Sequence, residues 1–318
     1  MRALGLSGSV ALVTGSCGFI GSHLVAALCA AGSSVVGISR HLSGTVHSGV
    51  QYIEGDVICA EQMHGIVSNV RPDFVFHLAS SKNKAAATHG FRESINNDLL
   101  GTLNLVEACM HIGCVKRFVH LGSCEVYGAT EVPFRECFRE APVNAYSFSK
   151  TAITHMLQTL SEANDFNAVE LRPSVVYGPG QGEGMFIPSL IKSLLAKRHF
   201  PMSGGGQTRD FIYIDDLIAA MLLAAEKPDC EGEVINVCGG APVKLLGVAG
   251  TIAKLIGDDA SELLGIGELP YRTGEAMDYW ADNQKANSLL GWNPRMELVD
   301  GLAKTVEYYQ SVMHTGAE

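Results

Sequence analysis

The strongest constraint on this chain lies near its start, where a short apolar run, Ser9 to Thr14, is followed at once by glycines at 15, 18 and 21 and then by a helical pattern to Ala31. Glycines at that spacing permit a tight turn between a strand and a helix, with the helix N-terminus left open at the turn. A second apolar run, Val35 to Ser39, completes a βαβ unit. The alternation continues with a strand Gln51 to Glu54, a helix near Ala60 to Asn69, a strand Phe74 to Leu78 and a helix Ser94 to Ile112. A strand Arg117 to Gly122, a helix Ala145 to Asn164 and a strand Ala168 to Val176 follow. Repeated units of this kind bury a parallel sheet under helices on both faces, so the expected fold is α/β, a doubly wound parallel sheet of the Rossmann type. After Gly178 the rhythm changes. Residues 179–208 and 241–318 are expected to form a smaller, mostly helical C-terminal lobe that binds substrate, while 209–240 return to the first domain, 1–178, through a strand Phe211 to Ile214, a helix Asp216 to Glu226 and a strand Val234 to Val237.

With 318 residues, 47% apolar and 18% charged, the chain has enough apolar side chains for a sizeable core and is not disordered. Its net charge of -10 argues against nucleic acid or an anionic membrane as a partner. Nine scattered cysteines without a CxxC pair point to reduced thiols in a cytoplasmic protein rather than to disulfides or a metal site. Residues 3–38 carry no Asp, Glu, Lys or Arg, but glycines interrupt the run before it reaches the roughly 18–20 apolar residues a membrane span needs. It reads as buried strand, loop and helix.

The loop Gly15-Ser16-Cys17-Gly18-Phe19-Ile20-Gly21 has the form of a dinucleotide cradle: backbone can approach a pyrophosphate closely, and the N–H groups opening the next helix face it. At the end of the second strand stand Ser39 and Arg40, where an NAD-selective site would place an acid. A hydroxyl and a guanidinium suit the 2′-phosphate of NADP, so NADP is the expected cofactor, with NAD the alternative. Asp56 and Val57 are expected at the adenine end, and Leu78, Ala79 and Ser80 along the cofactor path. The neighbouring Ser81 and Lys82 are expected at the substrate.

Tyr146 and Lys150 stand one helical turn apart on a common face. A nearby ammonium and an oxidised nicotinamide both favour a phenolate, which makes the pair suited to moving the proton of a carbinol as its hydride leaves. Ser123, at the end of a strand, is placed to hold the same oxygen.

These features, taken with Pro72-Asp73-x-Val75-x-His77-Leu78-Ala79, Gly122-Ser123 through Val126-Tyr127-Gly128, Tyr177-Gly178-Pro179-Gly180, Arg209-Asp210-Phe211-x-Tyr213, Gly274-Glu275 and Leu290-Gly291-Trp292-Asn293-Pro294, resemble the extended short-chain dehydrogenases/reductases over nearly the whole chain. The resemblance implies a nucleotide diphosphate sugar as substrate, with Arg209 and Arg272 on its diphosphate, and a homodimer built through the helices near 94–112 and 145–164. Two positions depart from the family pattern. Val175 replaces a customary Asn that helps hold the diphosphate, and Asp98 stands where Asn is common, with Asn97 beside it.

The two residues after the catalytic Ser, here Cys124 and Glu125, differ most among such enzymes. The pair resembles that of sugar dehydratases, the tunicamycin-pathway dehydratases in particular. There oxidation at C4 acidifies the C5 proton, a Glu removes it, and the neighbouring residue assists departure of the C6 hydroxyl. Simple C4-epimerases usually lack the acid. The resemblance therefore favours a dehydratase, then an NADPH-dependent 4-keto-6-deoxy-sugar reductase, then an epimerase or decarboxylase, with a non-catalytic NADP-binding sensor as the reading outside enzymes.

Overall fold

The structure, a computed structural model, describes residues 5–42, 46–81, 83–272 and 274–315. Its first six strands are β1 (Val10–Thr14), β2 (Ser34–Ser39), β3 (Gln51–Glu54), β4 (Phe74–His77), β5 (Arg117–Leu121) and β6 (Ala168–Pro173). Then come β7 (Val175–Tyr177), β8 (Phe200–Met202), β9 (Thr208–Arg209), β10 (Phe211–Tyr213), β11 (Val234–Val237), β12 (Val243–Lys244) and β13 (Leu264–Ile266). Seven strands form one parallel sheet in the order β11-β6-β5-β4-β1-β2-β3. The order reverses between β1 and β4, which opens a crevice at their carboxyl ends, the place where such sheets bind ligands.

Helices α1 (Phe19–Ala30), α2 (Ala60–Val70), α3 (Thr88–Ser94), α4 (Gly101–Ile112), α5 (Ala145–Asn164), α6 (Phe186–Leu195), α7 (Ile214–Glu226), α8 (Leu245–Ile256) and α9 (Leu298–Thr315) complete the fold. Side chains alternate across each strand and sort into two apolar layers. Val13, Phe74, Phe76, Val119 and Leu171 pack with Leu24 of α1 and Leu217 of α7, whereas Leu12, Val75, Phe118 and Ala168 pack with Met63 of α2, Leu105 of α4 and Ile153 of α5. The sheet is thus covered on both faces, as its near-continuous apolar strands require. The first layer runs on without a break into Ile187 and Leu190 of α6, Val248 and Ile252 of α8, and Leu302 and Val306 of α9. Among the described residues no helix is long and apolar enough to cross a membrane.

Two elements differ from the sequence expectation. The helix expected over Ser94 to Ile112 is α3 and α4 joined by a π-helical stretch, Ile95–Leu100, which interrupts the 3.6-residue period. The strand expected over Ala168 to Val176 breaks at Ser174. There β6 stays in the main sheet, and β7 leaves to pair in parallel with β10. The Leu290-to-Pro294 segment has a packing role: Trp292 donates from Nε1 to the Asp216 carbonyl (3.0 Å), and the Asp216 carboxylate accepts the N–H groups of Arg295 and Met296, tying the C-terminal lobe to α7.

Candidate active site

The glycine loop is tight enough to explain its residues. Gly15 has φ +69, and a Cβ there would lie 3.1 Å from the Ala79 nitrogen; a Cβ on Gly21 would lie 2.1 Å from the Gly15 carbonyl oxygen. Gly18 begins α1 with no side-chain cap, so the helix N-terminus presents its N–H groups and positive dipole end at the carboxyl edge of β1. The Ser80 hydroxyl on the neighbouring turn is buried without a protein partner. A cradle that a Cβ would fill, an uncapped helix end and an orphaned hydroxyl together fit a dinucleotide. Phe19 and Ile20 are half-buried in the first turn of α1, Leu78 and Ala79 lie beside the loop, and Val57 is buried against Gly101. Arg40 is exposed just beyond β2. The sheet register sets Ser39 beside Glu54, and Asp56 caps its own turn by accepting the Ile58 N–H.

The turn at 78–81 is held from beneath. Thr14 Oγ1 accepts the N–H groups of Leu78 and Ala79 and lies 2.7 Å from His77 Nδ1. The Thr102 hydroxyl donates to the Asp98 carbonyl, so His77 Nε2 must donate to Thr102, and Thr14 in turn donates to Nδ1. Asp98, not Asn97, is the buried residue here. Its carboxylate accepts Ser81 N–H (2.7 Å), Ser81 Oγ (3.1 Å) and Ser149 Oγ (2.9 Å), tying the turn to α5. Ser81, expected at the substrate, therefore spends its hydroxyl on Asp98. Lys82 lies outside the described residues.

Helix α5 starts where Asn144 and Ser147 form a reciprocal capping box, which fixes the positions of Tyr146 and Lys150. The Lys150 Nζ lies 5.9 Å from the centroid of the Tyr146 ring and donates to the Leu121 carbonyl at 2.7 Å. Ser123 hydrogen-bonds Tyr146 and also caps the short 3-10 turn Cys124–Tyr127, accepting the Glu125 N–H at 3.1 Å. Burial, and then the Glu125 carboxylate, push the Tyr146 hydroxyl above its ordinary value, against the Ser123 hydrogen bond that favours the phenolate. Glu125 itself is ion-paired to Lys84 at 2.6 Å. The structure brings the expected Ser123, Glu125, Tyr146 and Lys150 together and adds Lys84, a loop residue with no local motif.

Cys124, expected beside the substrate, is instead fully buried. Its thiol donates to the Arg172 carbonyl at 3.2 Å, and it packs with Val126, Phe134 and Cys238. Tyr279, which no local pattern singled out, lies on this side of the site. Burial raises its hydroxyl well above the usual range, as do its neighbours Cys124, Glu125, Cys238 and Tyr146.

Behind Lys150 the apolar layer gives way to charge. On the face of β5 and β6 toward α5, His120 lies 2.9 Å from Glu170, which also accepts from Thr154 (2.7 Å) and Arg172 Nε (2.9 Å). Arg172 reaches on to Glu140 at 2.8 Å and lies over the Tyr127 ring.

On the substrate side, Arg209 ion-pairs with Glu275, donates to the Ala276 carbonyl at 2.9 Å and lies over the Tyr279 ring. It thus anchors the 275–279 segment against β9. Arg272 is exposed and near enough to Arg209 for the two cations to repel. Val175 lies in β7, paired with Phe211.

Comparison with known proteins gives the same picture. Residues 11–238 match the model of the NAD dependent epimerase/dehydratase family. The chain is 32% identical to a UDP-glucose 4-epimerase of Mycolicibacterium smegmatis, over 94% of this chain and 98% of that one. It is 29% identical to the human dTDP-D-glucose 4,6-dehydratase, over 98% and 93%. Among solved structures, a Bacillus cereus UDP-glucuronic acid 4-epimerase, determined with UDP-glucuronic acid and NAD, superposes with a TM-score of 0.84 at 30% identity, over 95% of this chain and 99% of that one.

Proposed function

This chain belongs to the NAD-dependent epimerase/dehydratase family of nucleotide-sugar enzymes, and from that premise we propose that it dehydrates a nucleotide-linked hexose by way of transient oxidation at C4. The observation that carries this reading is the Glu125 carboxylate, set on the same short turn as the Ser123 that hydrogen-bonds Tyr146. The bound nicotinamide dinucleotide supplies the hydride acceptor and donor. Gly15, Gly18 and Gly21 hold its pyrophosphate against the N-terminus of α1, and Lys150 positions its ribose. Tyr146 Oη takes the proton of the C4 hydroxyl while Ser123 holds that oxygen. A ketone at C4 acidifies the proton on C5, and Glu125 removes it as the C6–O bond breaks, with Lys84 placing a cation on the carboxylate. The C6 hydroxyl leaves with a proton as water, and the hydride taken from C4 returns to the sugar. On this reading residues 1–178 and 209–240 hold the cofactor, and 179–208 with 241–318 hold the nucleotide sugar through Arg209 and Arg272.

In Glu125→Gln, dehydrated product should fall by about 10²–10⁴-fold, the usual weight of a general base, while hydride transfer from C4, read as nicotinamide absorbance, persists. Normal dehydration by that variant would remove Glu125 from the mechanism. A second reading has an observation of its own. Cys124 is fully buried with its thiol on the Arg172 carbonyl, which leaves a departing C6 hydroxyl without the expected acid and favours epimerisation at C4, a reaction that needs only Ser123, Tyr146, Lys150 and the nicotinamide as hydride acceptor and donor. An unmodified product mass with inverted C4 would establish it.

We assign the cofactor as NADP on Ser39 and Arg40. Arg40→Ala should weaken NADP binding and leave NAD binding unchanged in a fluorescence titration; equal effects on both would reverse the assignment to NAD. We further assign a homodimer through the 95–100 stretch, α4 and α5, where Ile95, Leu100, Met110 and Phe148 are exposed and the Phe148 ring packs on Phe91 of α3 at 5.4 Å. Sedimentation velocity should give twice the chain mass. A Phe148→Glu variant should sediment as a monomer, and an unaffected dimer would move the interface elsewhere.

A further inference from the structure

Lys150 does not hold its place alone. Its ammonium is buried, and beyond the Leu121 carbonyl its second acceptor is His120 Nε2 at 3.3 Å. An imidazole can accept from an ammonium only through an unprotonated nitrogen, so this contact requires His120 to be neutral and to carry its proton on Nδ1. That nitrogen lies 2.9 Å from Glu170 Oε2, a carboxylate whose other oxygen is occupied by Thr154 and Arg172. The two contacts on the ring therefore demand the same tautomer.

We propose that His120 and Glu170 are positioning residues for Lys150: Glu170 fixes His120 with its proton on Nδ1, and the Nε2 lone pair then holds the Lys150 ammonium against Tyr146. The inference rests on the reading of Tyr146 and Lys150 as the proton-moving pair, and it adds a supporting layer that reaches two strands into the sheet.

The surroundings of the ring agree. Besides Lys150 from α5 and Glu170 from β6, His77 of β4 stacks on it at 5.8 Å, and Asp98 acts on it from the 95–100 segment. Burial, and then the Lys150 charge, hold His120 down to about 4, so the ring is neutral at physiological pH. A charged His120 would set a second cation against Lys150 and remove one of its acceptors. Thr154, one turn beyond Lys150 on α5, bonds the same carboxylate. One side chain of β6 thus sets both the histidine and the helix that carries the lysine.

A group that merely fills space and one that accepts from Lys150 respond oppositely to two substitutions. His120→Phe keeps the ring and its packing but removes the acceptor. His120→Gln loses the ring but returns an amide oxygen near the place of Nε2. If His120 positions Lys150, His120→Phe lowers kcat about 10²-fold, the usual cost of displacing a reacting group by about an ångström. The nucleotide-sugar KM stays as in the unchanged protein, cofactor affinity weakens because Lys150 also positions the nicotinamide ribose, and His120→Gln recovers most of the rate and of that affinity. A phenylalanine variant as active as the unchanged protein, or a glutamine variant worse than it, would overturn the proposal.

A Lys150→Met control separates this from a failure of the underlying reading. Full activity in that control would mean that the lysine itself is not catalytic, whereas an inactive control beside a fully active His120→Phe rejects only the support from His120. The tautomer supplies a test that needs no variant to be active. Long-range proton–nitrogen NMR of the imidazole nitrogens, with His120→Gln identifying the signal, should show His120 protonated at Nδ1 at neutral pH. A proton on Nε2 would contradict the proposal.

Discussion

Tyr146→Phe is expected to lower turnover by about 10²–10⁴-fold while dinucleotide and nucleotide-sugar binding remain as they were. The phenyl ring keeps the packing and its place 5.9 Å from the Lys150 ammonium, so the cleft retains its shape. Only the hydroxyl is lost, and with it the atom that exchanges a proton with the substrate oxygen and that Ser123 hydrogen-bonds. Burial and Glu125 hold this hydroxyl above its ordinary value in the protein alone. A cationic nicotinamide at the same place favours the phenolate, which makes ionisation of Tyr146 depend on the cofactor. Single-turnover measurements beside a binding titration check this. A variant that binds and also turns over would show that another group moves the proton.

The largest effect on stability is expected at Arg172. Its guanidinium is buried between Glu170 and Glu140 and stacked over Tyr127. Removing one member of a buried ionic group leaves the others uncompensated, so Arg172→Met should cost about 3–5 kcal/mol in chemical denaturation. Replacing Glu170 as well should cost less than the two single changes combined, because the second substitution removes the charge that the first had stranded. The same network sets the acid limit of the fold. Glu170 is lowered to about 2, despite its burial, by the hydrogen bond from His120 and the charge of Arg172, while burial and Lys150 lower His120 to about 4. Both folded-state values lie below the ordinary ones, so the unfolded chain binds protons first, and both groups stabilise the fold fully only above those ordinary values. The His120 contribution is lost as pH falls from 6.5 toward 4, and the Glu170 contribution from 4.5 toward 2. The melting temperature should fall across both windows, and His120→Gln should flatten the upper one. An unchanged slope there would mean that His120 does not contribute.

Much of this was legible in the sequence because local patterns carried it. The glycine spacing after β1 predicted the cradle, and the helix expected over Ala145 to Asn164, with Tyr146 and Lys150 four residues apart on it, agrees with the bounds of α5 and the shared face of that pair. What escaped notice depends on contacts between distant elements. His120, Glu170 and Arg172 sit at alternate positions of two strands that look apolar, and nothing local says that β5 and β6 are neighbours or that α5 covers that face. The Lys84–Glu125 pair joins residues 41 apart in the chain. Cys124 was misplaced because adjacency to Glu125 in sequence does not give adjacency at the substrate. On a 3-10 turn successive side chains point about a third of a revolution apart, and here one faces the cleft and the next the core. The π-helical stretch at 95–100 was hidden for a related reason, since one added residue per turn leaves composition untouched while it shifts the period.

The central claim, oxidation at C4 followed by loss of water, is tested most directly by incubating the purified protein with nucleotide hexoses deuterated at C4 and following the products by mass spectrometry. The account predicts a product lighter by one water that keeps the deuterium, with no net consumption of nicotinamide. A product of unchanged mass, or conversion only of 4-keto sugars with matching oxidation of NADPH, would contradict it.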